Sequence, residues 1–94
     1  MIVSNWVIGQ LVSSKAGRDA GRYFLIYEVL DQSFVRVVDG DLRRVEAPKR
    51  KSVKHLKPYQ QMTEELAVKF KQGQRVINAD IRKVIEGLRA NLES

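Results

Sequence analysis

No cysteine occurs in the 94-residue chain, so neither a disulfide scaffold nor a thiolate metal site is open to it. The absence also fits a reducing compartment. A single histidine, His55, makes a poor metal site without cysteine partners. No apolar run approaches the roughly 20 residues of a membrane span. The start, Met1-Ile2-Val3-Ser4-Asn5-Trp6, lacks the basic stretch and long apolar stretch of a signal peptide. A cytoplasmic location without a membrane partner is the expectation. Hydrolytic catalysis needs an activated nucleophile or paired carboxylates in a cleft. One histidine, no cysteine and scattered acids offer neither. No enzyme activity, catalytic residue, metal ligand, cofactor or small-molecule substrate is expected.

What the chain does have is positive charge. The net charge is +6, with 44% hydrophobic and 30% charged residues. That is the composition of a folded domain rather than a disordered one. The excess is uneven. Up to Pro58, eleven Lys and Arg stand against six Asp and Glu; beyond it the numbers are six and five. A polyanion is therefore the first partner to consider, and its contact surface belongs in the first part.

That first part reads as short strands, at residues 10–14, 22–30, 34–38, 42–46 and 52–56. Residues 22–30 are rich in aromatic and β-branched types, although Phe24, Leu25 and Ile26 do not alternate and leave the register open. Residues 14–21 form a basic loop with two glycines. Asp39-Gly40 signals a tight hairpin, and residues 47–51 read as a loop because Pro48 cannot serve a central ladder. Five short strands at close spacing suggest a small barrel or sandwich. After Pro58 the pattern turns helical. Thr63 suits an N-cap ahead of Glu64 and Glu65, and Gly73 a stop. Asn78 suits a second cap, before an apolar stripe of Ile81, Val84, Ile85, Leu88 and Leu92. Residues 1–58 are thus expected to form a β domain, and 59–94 a helical extension packed on it or on a partner.

The most informative segment runs from Leu11 to Phe24. A strand enters a loop carrying Lys15, Arg18 and Arg22; Gly17 and Gly21 permit sharp turns and close approach; a second strand leaves. Cations and bare amides at a barrel rim suit phosphate groups. This segment resembles the KOW motif of ribosomal proteins and transcription elongation factors. Gly17 matches the motif's central glycine, and Asp19, Gly21 and Arg22 its polar-glycine-basic continuation. Ala20 departs from it, standing where many members carry lysine. The segments Val38-Asp39-Gly40-Asp41-Leu42-Arg43-Arg44, Pro48-Lys49-Arg50-Lys51 and Lys54-His55-Leu56 extend the likeness. Together they resemble small bacterial KOW-domain RNA-binding proteins, themselves similar to archaeal and eukaryotic large-subunit ribosomal proteins. The resemblance covers roughly residues 8–58. It implies a mainly β fold, an SH3-like five-stranded antiparallel barrel with a C-terminal helical tail. It also implies RNA as the partner, commonly ribosomal RNA, and a place in translation on the ribosome.

Each site residue has a plainer alternative. Lys15, Arg18 and Arg22 could form a solvated loop, but the other segments beside them favour phosphate contact. Strand alternation puts Arg43 and Arg44 on opposite faces, so one at most points at a ligand. Lys49, Arg50 and Lys51 follow a proline in a short loop, which favours contact over free solvation. His55 reads as an ordinary strand residue first and an RNA contact second. Trp6 reads as core, and so does the helical stripe. Lys54 and Gly21 complete the expected RNA surface. The competing function is a protein-interaction module, using the barrel and the amphipathic helix.

Overall fold

Three consecutive residues, Phe24, Leu25 and Ile26, are fully buried in the computed structural model, which describes residues 6–92. A strand buried on both faces loses its alternation and reads as a continuous apolar run. Phe24 and Ile26 join Val12, Val35, Val37 and Leu56 in one core, inside a small barrel. Leu25 joins Leu11 and Val38 on the opposite face, in a second core completed by the helices through Leu66, Phe70, Val76, Ile81 and Ile85. Burying each such side chain stabilises the fold by about 1.5–3 kcal/mol relative to exposure. The non-alternating stretch is therefore what joins the two cores.

Five strands form one antiparallel sheet: β1 (Gln10–Ser14), β2 (Tyr23–Val29), β3 (Phe34–Val38), β4 (Lys49–Ser52) and β5 (Leu56–Met62), in the order β4-β3-β2-β1-β5. Register shifts between Gln10 and Val12 and between Ile26 and Glu28 mark bulges, which bend and twist strands. A 3₁₀ turn at Val53–His55 carries the chain from β4 to β5. The result is a mainly β, SH3-like barrel with two helices, α1 (Glu64–Lys71) and α2 (Asn78–Leu92). Trp6 packs against the barrel core, as expected.

Three strand expectations need correction. Residues 42–46 are not a strand but lie in a loop, 39–48. The Asp39 carboxylate accepts the amides of Asp41 and Arg43 at 2.9 and 2.8 Å, and the Asp39 amide donates back to the Arg43 carbonyl. An aspartate that captures neighbouring amides offers the backbone an alternative to a ladder. Asp39-Gly40 accordingly makes no two-residue hairpin. Gly40 has φ +76°, and a Cβ there would lie 2.4 Å from the Asn78 carbonyl oxygen, so the start of α2 seats directly on it. The basic run expected in a loop is instead edge strand β4, paired with β3 from Val37↔Lys49 to Phe34↔Ser52. Charged residues suit an unpaired strand edge. Finally, residues 52–56 are mostly turn, and the last strand runs through Pro58 to Met62. Pro58 is tolerated because β5 ends the sheet order, where an amide can be spared.

The helices follow their local signals with one exception. The Leu66 amide donates to Thr63 Oγ1 at 3.3 Å, and Glu64 and Glu65 occupy the positive end of α1. Asn78 is not a cap. Its side chain reaches back to the 39–48 loop, accepting the Val45 amide at 2.8 Å and donating to the Glu46 carboxylate at 2.9 Å. Those bonds tie the loop to α2. The Asn78 hydrogen bond holds the Glu46 carboxyl below its usual range.

Candidate nucleic-acid interface

The β1–β2 loop is closed at its base by two backbone bonds, Ser14 amide to Arg22 carbonyl and Gly21 amide to Ser14 carbonyl, each 2.9 Å. Within it the Ala20 amide donates to Gly17 and the Arg22 amide to Asp19. Gly17 and Gly21 have φ of +78° and +85°, and a Cβ built at either meets nothing within 4 Å. These glycines are therefore required by backbone conformation alone. The space beside them is open. A third tie fixes the loop sideways, where the Lys15 amide donates to the His55 carbonyl at 2.8 Å.

Asp19 holds the loop from behind. Its side chain is 4% exposed, and its carboxylate accepts Arg43 Nη2 at 3.0 Å and Lys51 Nζ at 3.1 Å. Lys51 is an inward residue of β4. Its ammonium lies 5.8 Å from the Phe24 ring centroid, so its stem covers one end of the barrel core. Burial on its own would raise the Asp19 carboxyl, but the hydrogen bonds and charges of Lys51 and Arg43 outweigh it and hold the group below its ordinary value. A carboxyl depressed in the fold contributes stability above its unfolded value, about 3.9, and that contribution drains as pH falls through the folded value. Unfolding by urea at successive pH values should therefore show stability lost below about pH 4. Asp19→Asn should shrink that loss; an unchanged acid limb would contradict the role given to Asp19.

The expected site residues divide by what they touch. Arg22 donates to Asp39 at 3.0 Å and Asp41 at 3.2 Å. The Asp39 hydrogen bond chiefly raises the Arg22 pKa, so the guanidinium stays charged. Arg43 and Lys51 are engaged with Asp19. Arg44 pairs with Glu46 at 3.4 Å, both well exposed, a contact of little energy. Lys15, Arg18, Lys49 and Lys54 are exposed and have no carboxylate partner among the described residues. Arg50 is exposed and lies over the Phe34 ring, its guanidinium carbon 3.9 Å from the centroid. His55 is exposed.

The fold thus joins the loop of Lys15, Arg18 and Arg22 to the run Lys49-Arg50-Lys51 through the Asp19–Lys51 pair, and brings Arg43 and His55 to the same loop. It does not join Arg50 to them by any direct contact. Strand alternation sends Arg50 to the face opposite Lys51. Sequence reasoning matched Asp19 to the motif's polar position and put Asp39 in a hairpin, but gave neither carboxylate the role of organising the cations. An acid at the centre of a basic loop was the available signal. It also passed over Lys57, whose ammonium lies 5.4 Å from the Tyr59 ring centroid, and for that no local signal exists. Among the described residues, no cluster of His, Cys, Asp and Glu could hold a metal ion, and no helix is long and apolar enough to cross a membrane.

No protein-family model matches the sequence. Over 51 residues the chain is 39% identical to large ribosomal subunit protein eL14 of Methanococcus vannielii, a match covering 54% of this chain and 60% of that protein. The chain thus spans well under two thirds of the curated relative's length. This is weak homology to a ribosomal protein.

Proposed function

We propose that the chain binds RNA, specifically structured ribosomal RNA, and acts in association with the ribosome in the cytoplasm. One observation carries this reading. A loop with open glycines and two cations unpaired among the described residues, Lys15 and Arg18, is anchored from behind by a buried carboxylate that two further cations neutralise. Such a loop keeps its shape while presenting bare charge, as recognition of a folded polyanion requires. Phosphate contacts at Lys15, Arg18, Lys49 and Lys54 supply affinity, and the geometry of the loop supplies selectivity. Gly17 and Gly21 let the RNA backbone come close. Arg22, Arg43 and Lys51 position the rim, and Arg44, Arg50 and His55 flank it. The partial likeness to a ribosomal protein points the same way. The apolar stripe of α2 gives no support to a protein-interaction module, because Ile81 and Ile85 are buried against the chain's own sheet.

Crosslinking in cells followed by sequencing of the attached RNA tests the reading. Reads concentrated in large-subunit ribosomal RNA are expected. Recovery of no RNA, or of RNA without ribosomal enrichment, would overturn it.

A further inference from the structure

The C-terminal limb of the β1–β2 loop borders a groove of about 360 Å³ that the phosphate-binding role leaves unused. It lies between Gly21-Arg22-Tyr23, the acidic turn at Asp39 and Asp41, and the outer turns of α2. Its size is at the lower end of the range for small-ligand sites. Two features of its lining decide what it suits.

The first is a stacked pair. The Arg89 guanidinium carbon lies 4.3 Å from the Tyr23 ring centroid. Tyr23 in turn meets Tyr59 at 5.6 Å between centroids, and Lys57 lies over Tyr59 on the far side. This row crosses β5, β1 and β2 because the intervening β1 residue is Ser13, small enough for the rings to meet above it. Ser13 Oγ also lies 2.9 Å from the Tyr59 hydroxyl. A guanidinium is planar and has two faces. The Tyr23 ring supports the Arg89 guanidinium from one side, and Arg89 is otherwise exposed. Arginine planes held in this way are platforms for nucleic-acid bases.

The second feature is charge. Arg22, Arg82 and Arg89 line the groove together with Asp39, Asp41 and Glu86, three cations with three carboxylates, and Arg22 is paired directly with Asp39 and Asp41. A phosphate gains little in such a balanced site and is repelled by the acids. A flat uncharged base gains the stacking surface, and its amino and imino edges find acceptors. The neighbouring rim at Lys15 and Arg18 has the opposite character, cationic and without acids of its own left free. Backbone and base therefore have separate places side by side.

We propose that this groove takes one unpaired nucleotide of the bound RNA, its base stacked on the Arg89 guanidinium that Tyr23 supports. The proposal rests on the RNA-binding reading and adds to it a requirement for an extruded base. Tyr59 and Lys57 extend the platform and keep Tyr23 in place.

Three synthetic RNA hairpins of equal stem length separate the possibilities: one fully paired, one with a single bulged adenosine, and one with an abasic residue at the bulge. The wild-type chain should bind the adenosine bulge at least about fivefold more tightly than the paired stem. The abasic bulge should lose that preference, a result independent of any variant's folding. Arg89→Lys keeps the charge and loses the plane; it should abolish the preference while binding the paired stem within about twofold of wild type. Equal binding of all three hairpins by the wild-type chain overturns the base site and leaves RNA binding standing. A preference that survives Arg89→Lys, in a variant with an unaltered circular dichroism spectrum, overturns the role of Arg89. Failure to bind any hairpin overturns the RNA-binding reading itself.

Discussion

Raising salt from 50 to 200 mM is expected to weaken binding of a structured RNA by roughly 60- to 1,000-fold. The figure follows from about four to six neutralised phosphates, which give log K against log salt a slope of roughly −3 to −5. Lys15, Arg18, Lys49, Arg50 and Lys54 supply that number of cations without a carboxylate partner among the described residues. Arg22, Arg43 and Lys51 contribute less to the slope, because each already neutralises a protein carboxylate. Changing Lys15 and Arg18 together to Ala should lower the slope by about 2 and cost on the order of 1–3 kcal/mol of affinity. Both positions are exposed, so the fold should survive. The same change at Lys69 and Lys71 in α1 should cost much less. Equal losses from the two pairs would reduce the rim to diffuse charge, and a larger loss from α1 would move the binding surface to the helices.

The division between free and engaged cations could not be read from the sequence. Every basic residue of the rim was visible as a type in a run. Which of them are held was not, because the partners come from distant segments that the barrel brings together: Asp19 with Arg43 and Lys51, Arg22 with Asp39. The same limit hid the Tyr23–Arg89 stack, whose members belong to the second strand and the last helix. What was legible was local. The glycine loop and its open tip both follow from residue types at short range.

Strand assignment shows the same boundary. β1 and β3 fall on the residues expected, and β2 differs by one residue at each end. Errors cluster between residues 39 and 62. There a charge run was taken for a loop and a proline for the end of the sheet. Both inferences hold for central strands and fail at edges, where polar faces and a missing amide cost little. Asp39 misled in another way: its carboxylate bonds to two amides turned an apparent hairpin into a longer loop docked on α2.

Asp19→Asn provides the sharpest test of whether the rim is a built surface or merely a basic one. The change removes one negative charge, taking the net charge from +6 to +7. On charge alone the variant should bind RNA more tightly. On structure it should not. The carboxylate is 4% exposed and shared by two cations, and an amide oxygen in its place can accept from them but carries no charge to neutralise them. Removing one partner of a buried pair costs about 3–5 kcal/mol. Arg43 retains 30% exposure and Lys51 13%, so partial solvation of the stranded cations brings the expected cost to about 2–3 kcal/mol. For a domain of this size that lowers the melting temperature by roughly 10–20 °C. Measured well below that temperature, where circular dichroism reports a folded chain, affinity for structured RNA should still fall, by about fivefold, the cost of ordering a loop no longer held in place. The salt slope should be at least that of the wild type, because Lys15 and Arg18 remain and Arg43 and Lys51 no longer neutralise a carboxylate. Tighter binding by the folded variant would show that position contributes nothing, and that net charge alone governs the encounter.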